Sequence, residues 1–199
     1  YLHIFLLDGA TCQQADYSVC ITPNGSFTFK ASEVDPETTG WVLVVAVDAQ
    51  GLPIQNNALV GNAFLKDGLY VGNYGAEAFW ANSTSVATLN TNNTATLRFD
   101  DTGYDAVPNQ FAVEVQSPKD VVGQKVVTVG MSGDLNEAQL TGAGQVSAGL
   151  AYNANENPFG SFVGFLTGNC QATAVITPTN PRLPFTMGGI VPSGQAGTL

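Results

Sequence analysis

The chain has 199 residues, enough for one large β domain with a substantial core, and 44% of them are apolar, which excludes a disordered polymer. Only 11% are charged, against about 25% in an average soluble domain, so Asn, Thr, Gln and Ser must supply most of the polar surface. Six basic residues against sixteen acidic ones leave a net charge of −10, and the scattered Lys30, Lys66, Arg98, Lys119, Lys125 and Arg182 form no basic patch, which excludes nucleic acid and anionic membranes as partners.

Tyr1–Leu7 (YLHIFLL) opens the chain as a strand that is apolar on both faces, interrupted only by His3. Such a strand must be covered on both sides, either within its own sheet or by donation into a neighbour's sheet. A strand at residue one, without an initiator Met, reads as part of an exported precursor whose upstream sequence was cleaved or left out. Asp8-Gly9 then offers a local return. Three cysteines, Cys12, Cys20 and Cys170, match no zinc spacing, and His3 is the only histidine. A disulfide between Cys12 and Cys20 is expected to close the turn after the first strand, with Cys170 as the alternative partner; either pairing favours an oxidising compartment.

Tyr17 to Lys30 reads as a hairpin with Asn24-Gly25 at its tip, because that dipeptide accepts positive φ angles. Trp41–Val47 is apolar on both faces and is expected to be a central strand. It is also the longest apolar run, about seven residues against the roughly 20 of a membrane helix, so no membrane span is expected. Gln55–Val60 and Gly75–Ala81 suggest one or two short helical turns, the second anchored by Phe79 and Trp80. Further strands are expected at Ala95–Phe99, Phe111–Gln116, Lys125–Met131, Ser161–Leu166, Ala172–Thr177 and Arg182–Met187, with Gly133–Asn157 as weak strands or an extended loop. Many short strands with frequent turn signals and no linker predict an all-β chain, a β-sandwich of Ig-like or jelly-roll-like type, with residues 1–199 as a single domain.

Nothing in the chain composes a catalytic centre. A Ser-His-Asp triad would have to use His3, which sits in a strand, and no Gly-x-Ser-x-Gly elbow is present. Glu33, Asp35, Glu37, Glu77 and Glu114 supply carboxylates for glycoside chemistry, but no spacing pairs any two of them. Asp100, Asp101 and Asp105 surround Gly103 and form a calcium candidate, competing with a solvated turn in which Asp bonds its own backbone. Asn153 to Pro158 is read as a polar turn. Asn24, Asn82 and Asn92 each open an Asn-x-Ser/Thr triplet. Tyr70, Tyr74, Phe79 and Trp80 either form a carbohydrate-gripping face or, for Phe79 and Trp80, part of the core.

The stretches YLHIFLLDG at Tyr1–Gly9, Cys20-Ile-Thr-Pro-Asn24, Ala31–Pro36, Thr39-Gly40-Trp41 and Gly75–Phe79 resemble a group of uncharacterised, secreted, β-rich bacterial proteins over the front part of the chain. The resemblance implies export, a β fold and an additional strand ahead of Tyr1, and it carries over no catalytic residue. The expected role is a non-catalytic extracellular or cell-surface component: a filament, matrix or surface-layer subunit that associates with itself or with other surface proteins. The alternative is a secreted carbohydrate- or ligand-binding module, and a secreted hydrolase comes third.

Overall fold

The computed structural model of the chain describes residues 1–37, 39–68, 70–92, 94–108, 114–116, 124–129, 133–134, 146–153, 158–166, 171–176 and 196–198. These residues are mostly β-strand, in small open antiparallel sheets. The first sheet joins β1 (Leu2–Asp8), β2 (Gln14–Val19) and, after a single helical turn α1 (Ala31–Val34), β3 (Gly40–Ala46), in the order β2-β1-β3. Next come two ribbons, β4 (Asn62–Asp67) with β5 (Tyr70–Gly75), and β6 (Ala87–Leu89) with β7 (Ala95–Leu97). The remaining strands are β8 (Glu114–Gln116), β9 (Gln124–Val129), β10 (Val146–Asn153), β11 (Pro158–Leu166), β12 (Gln171–Ile176) and β13 (Ala196–Thr198). They pair as β11-β10-β13-β8 and β12-β9.

The first strand is the middle of its sheet. Leu2 pairs with Val19 on one side and Ala46 on the other, and the register holds to Leu7, which faces Gln14 and Trp41. Alternation then sends Leu2, Ile4 and Leu6 to one face, where Tyr17, Val19, Ile21, Phe29 and Leu59 cover them. Phe5 and Leu7 point to the other face. There Leu43 and Val45 join Val47, Ala81, Val86, Leu97 and Tyr104 in a second cluster, which sets the sheet against β7 and the segments beside it. Each such Leu or Ile contributes about 1.5–3 kcal/mol of transfer free energy when fully buried. The apolar strand at the start of the chain is thus covered on both faces from within the same molecule.

The apolar run after Gly40 behaves differently from the expectation of a central strand. β3 lies at the sheet edge, and its burial alternates, with Val42 and Val44 exposed and Val45 and Ala46 buried. β1 takes the central position because two antiparallel partners, β2 and β3, are threaded to its two edges.

The Asn24-Gly25 turn forms one residue earlier than expected. The Gly25 N–H donates to the Thr22 carbonyl (2.8 Å), and Asn24, at φ 61°, carries the positive angle. No ladder joins the two arms; instead Phe27 and Phe29 stack on each other and meet the Tyr17 ring edge-on. Neither Gln55–Val60 nor Gly75–Ala81 is helical. The backbone at Ala81 is held extended by a side chain acting as a strand partner. The Asn57 amide accepts from the Ala81 N–H (2.7 Å) and donates to the Ala81 carbonyl (3.0 Å), while Ala81 also bridges Tyr104. The helical turn falls at Ala31–Val34. Strands expected near residues 95, 125, 161 and 172 are present as β7, β9, β11 and β12, while Arg182–Met187 lies outside the described residues.

Candidate functional site

Three places gather the polar and reactive side chains: the turn after β7, the surface beside His3, and the turn between β1 and β2.

In the turn after β7, the Asp100 carboxylate organises the backbone around itself. Its Oδ1 accepts from the Thr102 N–H (2.9 Å), the Gly103 N–H (2.9 Å) and the Thr102 hydroxyl (2.7 Å). Its Oδ2 accepts from Arg98 Nε (3.2 Å) and Nη2 (3.1 Å). The Gly103 N–H and the Thr102 hydroxyl, with Arg98 adding to them, hold this carboxyl well below the usual carboxylate range. Arg98 also reaches the Ser85 carbonyl and the Thr102 hydroxyl, so it ties the turn to the segment before β6. Asp101, at φ 62°, accepts from the Ala106 N–H (2.8 Å). Asp105 accepts from the Trp80 N–H (3.0 Å) and the Asn82 amide (3.1 Å). Each of the three calcium-candidate carboxylates is therefore turned toward its own protein donors. Among the described residues no group of three or more metal-ligating side chains converges. Sequence reasoning passed over Arg98 and Asn82; the signal was an Asp-x-Thr-Gly turn with a cation two residues ahead of it.

His3 is half-buried on β1, with Nε2 2.7 Å from Asp16 Oδ2 and its ring 4.1 Å from that of Phe5. A carboxylate held this way orients an imidazole. The same two side chains border a cleft of about 480 Å³, walled by Val45, Leu52 and Leu97, with Asp134 on its rim. No Lys or Arg lines it, so the cleft suits a neutral or cationic body better than an anion. Of the dispersed carboxylates, Glu33 pairs with Lys30 (3.1 Å) across α1 and Glu77 is exposed; the Glu114 side chain lies outside the described residues.

The aromatic group divides. Phe79 packs edge-on against Phe99 (5.0 Å) beside the core, whereas Trp80 is 59% exposed and Tyr74 is exposed on β5.

The cysteines correct an expectation. Cys20 is a free, exposed thiol, so no bridge joins it to Cys12. The strand between them explains why. Cys12 precedes β2 and Cys20 follows it, and the strand alone spans about 17 Å at roughly 3.4 Å per residue, whereas a disulfide tolerates Cα atoms at most about 7 Å apart. Cys12 is buried against Leu7, with Phe5, Trp41 and Leu43 alongside, and sits at φ 65° in a turn fixed by Asp8. The Asp8 carboxylate accepts from the Thr11 hydroxyl and from the Thr11 and Ala10 N–H groups, which lowers its pKa. Cys170 lies outside the described residues.

No protein-family model, curated protein or solved structure matches the chain.

The feature that sequence reasoning missed is the β4–β5 ribbon. Its six-pair register runs from Asn62↔Gly75 to Asp67↔Tyr70, and among the described residues neither strand pairs with any other. One face carries Phe64, 83% exposed, and Val71, 78% exposed; the opposite face carries Leu65 and Tyr74, also exposed. Val60, just ahead of β4, is uncovered as well. The signal was there in the period-two alternation of Ala63-Phe64-Leu65 and Tyr70-Val71 around Lys66-Asp67-Gly68.

Proposed function

We propose that this chain is a non-catalytic assembly protein of the extracellular space or cell surface, which self-associates through the β4–β5 ribbon. The observation that carries the reading is the ribbon's exposure. A two-stranded ribbon is marginal by itself in water, and this one presents large apolar side chains on both faces and two open strand edges. Natural proteins blunt or cover such edges unless another chain uses them. Lys66 and Asp67 stand side by side near the tip, so an antiparallel pairing of two ribbons brings each cation toward the other copy's carboxylate and offsets the repulsion expected between two chains of net charge −10. The sandwich architecture belongs to the same proposal. It is supported by the way one face of the β2-β1-β3 sheet packs on Val86, Leu97 and Tyr104.

Sedimentation velocity over a wide concentration range tests the reading, together with a Phe64→Ser/Val71→Ser variant. Concentration-dependent association that the variant weakens at least tenfold is the expected outcome. A parent that stays monomeric throughout overturns it.

A carbohydrate-binding module is the second reading, favoured by the exposed Trp80 indole, whose backbone is pinned by Asp105. Stacking on an exposed, fixed ring is how a shallow site grips a sugar. Retention on insoluble cellulose or chitin that Trp80→Ala abolishes supports this reading, and passage straight through both removes it.

A further inference from the structure

We propose that Cys12 is disulfide-bonded to Cys170, tying the β1–β2 turn to the residue that leads into β12 and leaving Cys20 as the single exposed thiol. The inference does not depend on the ribbon reading. Three independent features carry it. The first is the fate of Cys20, which is free and stands at the far end of β2 from Cys12. The second is the meeting of the β1–β2 turn with the start of β12. The Gln171 N–H donates to the Gly9 carbonyl (3.0 Å), and a Cβ placed on Gly9 would fall 2.6 Å from the Gln171 Cβ. The approach is so close that only glycine fits at position 9 without displacing Gln171. Chain connectivity puts the Cα of residue 170 about 3.8 Å from that of residue 171, while Cys12 lies three residues from Gly9 in a turn that folds back on itself through the Cys12 N–H to Asp8 carbonyl bond (2.9 Å). A disulfide asks for Cα atoms about 4.4–6.8 Å apart, the scale of this junction.

The third feature is the setting of Cys12 itself. It is 1% exposed, in a left-handed conformation that costs a non-glycine residue free energy. An apolar, strained, sheltered position suits a bonded sulfur better than a thiol that must meet solvent. Formation removes one proton and one electron from each thiol as the S–S bond forms. The two electrons pass to a disulfide oxidant, small or protein-borne, which is reduced to its thiols by exchange. Oxidants of that class persist in exported compartments.

The test uses the full chain, refolded in an oxidised and reduced glutathione mixture, denatured without reductant, alkylated and digested for mass spectrometry. One alkylated cysteine per chain, at Cys20, with a cross-linked Cys12–Cys170 peptide, is the expected result. A Cys20→Ser variant should then show no reactive thiol, and Cys170→Ser should show two. Three alkylated cysteines in the parent, a Cys12–Cys20 peptide, or glutathione carried on Cys12 each overturns the assignment. Because thiols are counted after denaturation, a variant that folds poorly still gives a decisive answer.

Discussion

The β2-β1-β3 sheet and the β4–β5 ribbon are built from the same elements. Each contains an antiparallel pair of strands matched over six residues without a break, and each carries apolar side chains on both faces. They differ in what lies against those faces. Ile4 and Leu7 are each 1% exposed, because residues from Ile21 to Tyr104 close over the two sides of β1. Phe64 and Val71 have no such cover among the described residues. The pairing of backbones is therefore indifferent to burial: a regular ladder forms in both places, and only the first is a core. The stability of β1 comes from segments remote in sequence, while the ribbon rests on its own cross-strand pairs, each worth about 0.2–1 kcal/mol.

This contrast is broken most directly in the first sheet. Ile4→Ala should cost about 2–5 kcal/mol, as for other buried aliphatic truncations, read as a lowered urea midpoint at unchanged slope; a loss below about 1 kcal/mol would place Ile4 among surface residues. Gly25→Val comes next, at about 1–2 kcal/mol. Its cause is steric, since a Cβ there would stand 2.8 Å from the Thr22 carbonyl oxygen. Gly25→Ala should lose stability too, whereas Asn24→Gly, at the position that bears the positive φ, should be neutral or better; the reverse order would return the strain to Gly25.

A smaller effect concerns acid. Because Asp100 and Asp8 have folded pKa values below those of the unfolded chain, their contribution is present above the unfolded carboxylate value of about 3.9 and is lost as pH falls through the lower folded values. Asp100→Asn should therefore lower the melting temperature at neutral pH and converge on the parent in strong acid. Curves that stay parallel down to the lowest pH would show that the carboxylate charge has no part in the turn. The smallest effect should come from the ribbon. Phe64→Ser with Val71→Ser should shift the monomer's stability by no more than about 0.5 kcal/mol per site while association weakens, and a loss comparable to Ile4→Ala would mean that the ribbon face is covered after all.

Much of the strand content was legible because period-two alternation is a local property of the chain. So was the need to cover β1 on both faces, since YLHIFLL is apolar whichever way it is read. What was illegible depended on remote partners. Trp41–Val47 has the composition of a buried strand, yet its place at an edge follows from where β2 and β1 lie. Gly75–Ala81 has helix-compatible residues, but the Asn57 amide and Tyr104 hold Ala81 extended, and neither is near it in sequence. Cys12 and Cys20 look close along the chain, and an intervening strand separates them by its full length. At Asp100 the acidic cluster was visible, while its occupation by Thr102, Gly103 and Arg98 became clear only once the turn was seen folded around it.

The central position of β1 also sets a clock. In a middle strand, successive N–H groups point alternately to the two neighbours, so every amide has a ladder partner. In a two-stranded ribbon only alternate amides do, and the rest face water. Deuterium exchange should therefore proceed slowly and evenly from Ile4 to Leu7, at a rate limited by opening of the whole sheet. Along β4 and β5 it should proceed in a fast–slow alternation, residue by residue. If ribbons pair edge to edge between copies, the fast set slows as the protein is concentrated, while the amides of β1 keep the same time at every concentration.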